Sequence, residues 1–291
     1  MIINRPIIVD RLQQYWVLAR FDKPIGILIL LWPALWALWV ASNGKPDLFV
    51  LFIICSGVVL MRAAGCVIND YADRDFDPHV ERTKQRPIAA GKVSPKEALI
   101  VFVVLCLTAF ILVLQLNFMT IMLSFVAAFL AASYPFMKRY TQWPQAYLGI
   151  AFGFAVPMSF SAQVNEIPMV AWVMYLAVML WALVYDTMYA MVDKDDDLKI
   201  GVKSTAILFG DKDREIMAGL QLIIIALLVW VGQIQQLGSF YYAGVVTAFL
   251  LSIYQQKLIF NRDKTLCFKA FLNSNYFGLA IFVGLVLDYL I

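Results

Sequence analysis

Two clusters of carboxylates dominate the chemistry available to this chain. The first reads Asn69-Asp70-Tyr71-Ala72-Asp73-Arg74-Asp75-Phe76-Asp77. The second reads Asp186-Thr187-Met188-Tyr189-Ala190-Met191-Val192-Asp193-Lys194-Asp195-Asp196-Asp197. Each contains a polar residue followed by Asp four and eight positions later: Asn69, Asp73 and Asp77, then Tyr189, Asp193 and Asp197. On a continuing helix those offsets stack on one face, a turn apart. Carboxylates held that close repel one another, and they call for a cation to join them. Oxygen-only donors suit a hard divalent ion, and Mg²⁺ takes one or two carboxylates and fills its octahedron with water and phosphate oxygens. Two opposed clusters therefore predict a site in which Mg²⁺ ions grip a diphosphate. Neighbouring cations fit the same purpose, because Arg and Lys bind phosphate oxygens directly. The candidates are Arg74, Arg82, Arg86, Lys138, Arg139 and Lys203. One Asp-x-x-x-Asp is common by chance; two copies at matching segment ends are not. Asp75, Asp195, Asp196, Asp211 and Asp213 read as solvated loop charges.

The elements that position these residues are membrane spans. Of 291 residues, 62% are hydrophobic and 15% charged, and the mean hydropathy of +0.77 exceeds what a soluble domain can hide. A spanning helix needs about 20 apolar residues. Qualifying windows run near 24–41, 48–68, 97–114, 118–136, 144–162, 168–191, 216–232, 239–256 and 271–290. The expectation is an all-α integral membrane protein of nine transmembrane helices. Both acidic clusters end a span (the second and the sixth), so the chain reads as one domain, residues 1–291. Its internal order is two four-helix pseudo-repeats plus a final helix.

Orientation follows from the basic residues. Of the 23 Lys and Arg, 21 lie in the N-terminal segment (Arg5, Arg11, Arg20, Lys23) or in the loops after the second, fourth, sixth and eighth windows. The opposite loops hold only Lys45, and Arg62 sits inside a span. This alternation predicts a cytoplasmic N-terminus, with both acidic loops on that side. No secretory signal is expected near the start. That tilts localisation toward a bacterial inner membrane, with the bilayer as partner and neither nucleic acid nor an obligate protein partner indicated.

Two further ionisable residues fall within spans, where charges usually face the bundle interior and mark a site. Arg62 lies seven residues before Asn69, and Asp186 three before Tyr189. Either they form a structural ion pair, or Arg62 meets an anionic group of the substrate. His79, in Asp77-Pro78-His79, reads as a surface residue. Cys55, Cys66, Cys106 and Cys267 lack metal-type spacing and read as small buried hydrophobes. A cation-coupled transporter is the rival from another class. Its site would sit near the bilayer midplane on broken helices, whereas these carboxylates occupy span ends and loops.

The run from Met61 through Asp73 resembles the first signature of the UbiA superfamily of intramembrane prenyltransferases. The run from Tyr185 through Asp197, continuing as Lys199-Ile200-Gly201-Val202-Lys203-Ser204-Thr205-Ala206, resembles the second. Three shorter stretches are similar to the branch that prenylates 4-hydroxybenzoate for ubiquinone: Asp22–Gly26, Tyr134–Thr141 and Tyr254–Leu258. The resemblance implies a prenyl-synthase-like helical bundle and Mg²⁺ held by Asn69, Asp73, Asp193 and Asp197, with Asp77 in support. It implies substrate contacts from Arg139, Lys138 and Arg74, beside the candidates Arg62, Arg82, Tyr189 and Lys203. The substrates it implies are a polyprenyl diphosphate and 4-hydroxybenzoate, with catalysis by Asp73, Asp193 and Arg139. Sister enzymes of the superfamily use a naphthoate, haem or a chlorophyll precursor as acceptor.

Overall fold

The computed structural model describes residues 7–291, leaving Arg5 outside the described residues. Among the described residues the secondary structure is helical throughout: α1 (Ile7–Leu18), α2 (Ile25–Ala41), α3 (Leu48–Ala72), α4 (Pro95–Val113), α5 (Phe118–Tyr140), α6 (Pro144–Gly153), α7 (Ala155–Val164), α8 (Met169–Ile200), α9 (Thr205–Leu208), α10 (Asp213–Ile234), α11 (Ser239–Leu258) and α12 (Lys264–Leu290). Seven stretches are long and apolar enough to cross a membrane: α3, α4, α5, α6 with α7 as one stretch, α8, α12, and Gly210–Ile234, which contains α10. The shorter α2 is an apolar helix of 17 residues.

Local chemistry sets the boundaries. Asp47 and Asn117 accept backbone N–H bonds at the starts of α3 and α5, and Ser94 with Glu97 forms a reciprocal capping box on α4. The stretch 144–164 breaks at Phe154, because Pro157 lacks the N–H that would bond the Gly153 carbonyl. At its far end α8 stops at Gly201, whose φ of 73° is left-handed and suits glycine.

The bundle is packed around α8. Trp181 on α8 stacks on Phe277 of α12 at 5.4 Å and meets Trp36 of α2 at 5.5 Å. Trp32 and Trp36 each donate an indole N–H to α12, at Asn275 (2.8 Å) and the Gly278 carbonyl (3.0 Å). A chain of amides, Gln256 to Gln221 to Gln255 to Asn273, joins α10, α11 and α12, with spacings of 2.9, 2.9 and 3.2 Å. In lipid an unpaired amide is costly, so such chains form inside the bundle. The outer helices are turned inside out relative to a soluble protein. Ile100, Leu107 and Ile111 on α4, and Phe118, Phe125 and Phe129 on α5, are all more than half exposed, an apolar surface that only lipid can cover.

At the contact of α11 with α12, Gly244 and Gly284 let the backbones touch. A Cβ on Gly244 would sit 2.6 Å from the Ala280 carbonyl oxygen. Gly244→Leu should therefore destabilise the purified protein by about 1–3 kcal/mol, the usual cost of overpacking. Gly219→Ala, where an added Cβ meets nothing within 4 Å, is the control in the same thermal-unfolding assay.

The short α1 was not among the expected segments. It turns Val9, Leu12 and Trp16 outward. Its polar face docks on the start of α4: Arg11 donates to the Lys92 carbonyl (2.9 Å) and Tyr15 to Glu97 (3.0 Å).

Candidate active site

Both acidic clusters end on the same cavity. Asp73 is the residue after α3, and Asp77 opens the single 3₁₀ turn that follows (Asp77–His79). Asp193 and Asp197 lie in the last two turns of α8, which continues as one helix through the second cluster. Asn69, Asp73, Asp77, Asp193 and Asp197 all line a polar cavity of about 140 Å³. Arg82, Lys138, Tyr189 and Lys203 line it too. With Arg86, which also lines it, the cavity brings ten of the candidate residues together from α3, the 3₁₀ turn, α5, α8 and the loops after α3 and α8. Arg62 lines an adjoining chamber of about 700 Å³, mostly apolar and walled by α2, α3, α4, α5, α6, α7, α8 and α12. The two spaces share Asn69, Arg82, Arg86, Tyr134, Asp186 and Tyr189, so a polar end and a greasy end lie against each other across these side chains.

The polar end is a lattice of opposite charges. Lys138 pairs with Asp73, and Arg82 pairs with Asp193 while its guanidinium also donates to the Tyr189 hydroxyl. Arg86 bridges Asp77 (3.0 Å) and Asp70 (3.1 Å), and Arg20 holds Asp70 from the other side at 2.8 Å. Burial pushes the Asp77 carboxyl up to about 6; Arg86 opposes this, while Asp73 and Asp70 add to it. Asp73 Oδ1 is buried with no hydrogen-bond partner. An orphaned buried carboxylate oxygen is expensive and asks for a cation or donor.

This donor set fits a hard divalent ion. Among the described residues no three Asp, Glu, His or Cys side chains converge closely enough to enclose a metal by themselves. Mg²⁺ needs no such cage: one or two carboxylates suffice, and the Asn69 amide oxygen, water and phosphate oxygens complete the shell.

Two expected substrate contacts sit apart from the cavity walls. Arg139 donates to the Ala72 carbonyl at the end of α3, with its guanidinium 5.2 Å from the Phe76 ring and 5.7 Å from the Phe136 ring. It satisfies one of the last carbonyls of that helix and so fixes the backbone that carries Asp73. Arg74 folds back on its own turn, donating to the Tyr71 carbonyl at 2.9 Å and lying 3.7 Å from the exposed Asp75. Lys203 lines the cavity but spends its ammonium on the Tyr140 carbonyl at 3.3 Å. Of the two readings of Arg62, the structure lacks the ion pair with Asp186. Arg62 instead donates to the Gly26 carbonyl at 3.2 Å.

One expectation is corrected. Asp213 is not a solvated loop charge but fully buried, bonded to Arg262 at 2.8 Å and 4.0 Å from Lys194. It is the N-terminal residue of α10, and it clamps the end of α8 beside Asp193 to the loop before α12. A second tie, Lys264 to Asp195 at 3.0 Å, does the same one residue on. His79 is exposed, as expected.

Some supporting residues escaped the sequence reading. Gln145 accepts from the Thr205 N–H (2.9 Å) and hydroxyl (3.0 Å), and Thr205 meets Thr187 at 2.7 Å, docking α9 between α6 and α8. These are short polar residues with no repeat, so sequence carries no signal for them. Tyr134 had one: it stands four residues before Lys138, on the same face of α5.

Comparison with known proteins matches this architecture. The model of the UbiA prenyltransferase family covers residues 30–281. A protein of Methylococcus capsulatus called 4-hydroxybenzoate octaprenyltransferase is 64% identical over 97% of this chain and 96% of its own length. One of the same name from Alkalilimnicola ehrlichii is 59% identical over 96% and 95%. Among solved structures, a UbiA homolog from Aeropyrum pernix in its apo form superposes with a TM-score of 0.79 at 26% identity, covering 90% of this chain and 97% of the other. A UbiA homolog from Archaeoglobus fulgidus, bound to GPP and Mg²⁺, shares the fold at 18% identity, with a TM-score of 0.69 over 92% and 99%. The chain is an all-helical integral membrane protein and belongs to the UbiA prenyltransferase family.

Proposed function

We propose that this protein transfers a polyprenyl group from its diphosphate to the ring carbon ortho to the hydroxyl of 4-hydroxybenzoate, a step of ubiquinone biosynthesis. The observation that carries the reading is the adjacency of an acidic, cation-lined head space and a large apolar chamber that share six wall residues. A diphosphate fits the first and a prenyl tail the second. The relatives named for this reaction support it, at 56–64% identity over nearly the whole chain.

Asn69, Asp73 and Asp77 on one side, and Asp193 and Asp197 on the other, would hold Mg²⁺, whose charge stabilises the departing diphosphate. Without substrate, Lys138 and Arg82 neutralise Asp73 and Asp193. When the diphosphate arrives, those cations turn to its oxygens, since Arg and Lys bind phosphate as readily as carboxylate. Tyr189, Arg62 and Lys203 hold the remaining polar groups of the substrates. Arg74 and Arg139 reach the substrate only by rotating inward. Preorganised positive charge at the leaving group lowers the barrier to C–O cleavage, and the apolar walls keep water from the allylic cation. The ring carbon of 4-hydroxybenzoate then captures it.

The same proposal includes nine spans, with α2 and α11 crossing beside the seven longer stretches. It also includes one domain of two four-helix pseudo-repeats plus α12. The N-terminus and the active site face the cytoplasm of a bacterial inner membrane, as the Lys and Arg distribution supports.

Membranes supplied with Mg²⁺, ring-labelled 4-hydroxybenzoate and mixed prenyl diphosphates should yield a labelled lipid whose mass is acceptor plus prenyl group minus one hydrogen. No such product, or faster turnover of a naphthoate in direct competition, overturns the reading. For Arg139 the expected result is that Arg139→Ala loses more activity than Arg139→Lys. Equal, mild losses remove Arg139 from the site.

A further inference from the structure

Prenylation of an aromatic carbon ends with loss of a ring proton, and something must take it. Most carboxylates around the polar end are already engaged. Asp70 is held by Arg20 and Arg86, Asp73 by Lys138, Asp77 by Arg86, and Asp193 by Arg82. Asp186 differs in two ways. Among the described residues no hydrogen bond or ion pair reaches its carboxylate, yet its oxygens are not sealed in the core, because the residue walls both the polar cavity and the apolar chamber. The Asp197 carboxylate also has no hydrogen bond among the described residues, but it lines the polar cavity and not the apolar chamber, and it belongs to the acidic cluster.

Position along α8 adds to this. Asp186 precedes Asp193 by seven residues on the same helix face, which places it about 10 Å deeper along the axis. It therefore lies at the inner end of the space for the diphosphate, at the seam where the first prenyl carbon and the acceptor ring must meet. Tyr134 and Tyr185 stand in the same wall with hydroxyls that make no hydrogen bond among the described residues, placed to hold an acceptor's polar groups.

We propose that Asp186 is the base that removes the ring proton of the acceptor after the new carbon–carbon bond has formed. The proposal rests on the prenyl-transfer reading above. In the balanced step, a ring-carbon electron pair forms the bond to the first prenyl carbon, and the C–O bond breaks with its pair leaving on the diphosphate. The C–H bond at the attacked ring carbon then breaks. Its electrons restore aromaticity, and its proton goes to an Asp186 oxygen, from which it passes to the departing diphosphate in the polar cavity that Asp186 lines.

The test compares 4-hydroxybenzoate with the analogue deuterated at both positions ortho to the hydroxyl, in detergent-solubilised full-length protein. With Asp186→Asn, kcat should fall by about 10²–10⁴-fold, the range for loss of a general base. KM for the prenyl diphosphate should stay within a few-fold of wild type. The deuterium effect on kcat should rise above the wild-type value, because proton removal now limits the rate. Asp186→Glu should recover part of kcat and bring the isotope effect back down. Near-normal kcat in Asp186→Asn, or a loss with an unchanged isotope effect, overturns the assignment and leaves the diphosphate itself as the base. If wild type gives no prenylated 4-hydroxybenzoate at all, the reaction proposed above fails first, and that result is read before any variant is made.

Discussion

Asp73→Ala and Asp193→Ala, each made alone, should lower prenyl transfer by about 10²–10³-fold, the scale for removing one preorganised electrostatic contact to a leaving anion. The effect should be largest at limiting Mg²⁺ and shrink as Mg²⁺ is raised, because weaker ion binding is partly offset by mass action. Equal dependence on both residues is the sharp part of the expectation. They sit 120 positions apart in sequence, yet line one cavity through the ends of α3 and α8. Each is also the partner of a cation, Lys138 or Arg82, that the substrate must recruit. Turnover in membranes across a Mg²⁺ titration reads this directly. A variant that keeps near-wild-type turnover at limiting Mg²⁺ sinks the idea that the two clusters act together.

The second large effect is expected at Arg86, and it falls on stability. Arg86 is 13% exposed and bridges two buried carboxylates, Asp77 at 3.0 Å and Asp70 at 3.1 Å. Removing one partner of a buried pair strands the other charge, at a cost of about 3–5 kcal/mol. Asp70 keeps Arg20, so the stranded group is Asp77. Arg86→Ala should therefore unfold at markedly lower temperature, and adding Asp77→Asn should return a substantial part of the loss. That recovery is the coupling a double-mutant cycle isolates. Additive losses would mean Arg86 acts through packing rather than charge.

Much of this was legible in the residues. Each expected apolar window coincides with an observed helix or helix pair to within one residue at its ends; the window 168–191, for example, lies inside α8 but for residue 168. Hydropathy works here because every backbone polar group in lipid must be satisfied within its own helix. The acidic spacing was equally readable: α8 runs unbroken through Asp197, so Asp193 and Asp197 share a face as the offsets required. What sequence did not reveal depends on contacts distant along the chain. Asp213 looks like any loop aspartate until Arg262, 49 residues later, folds over it. Arg139 gives no sign in the sequence of its tie to the end of α3, which appears only when the fold presents the Ala72 carbonyl to it. The docking of α1 escaped notice because a 12-residue helix with one polar face lies below any spanning threshold.

The length of α8 has a further consequence. At about 1.5 Å per residue, its 32 residues reach about 48 Å, well past the ~30 Å of hydrocarbon. Its acidic end therefore stands at headgroup height while its middle is enclosed by the bundle at the depth of the hydrocarbon. One substrate would reach the catalytic chamber by lateral diffusion and the other from water, so the enzyme works at a phase boundary. Its rate should then follow the mole fraction of prenyl diphosphate in the membrane or micelle, not its bulk molarity. Adding inert detergent at constant total substrate would slow turnover by surface dilution alone.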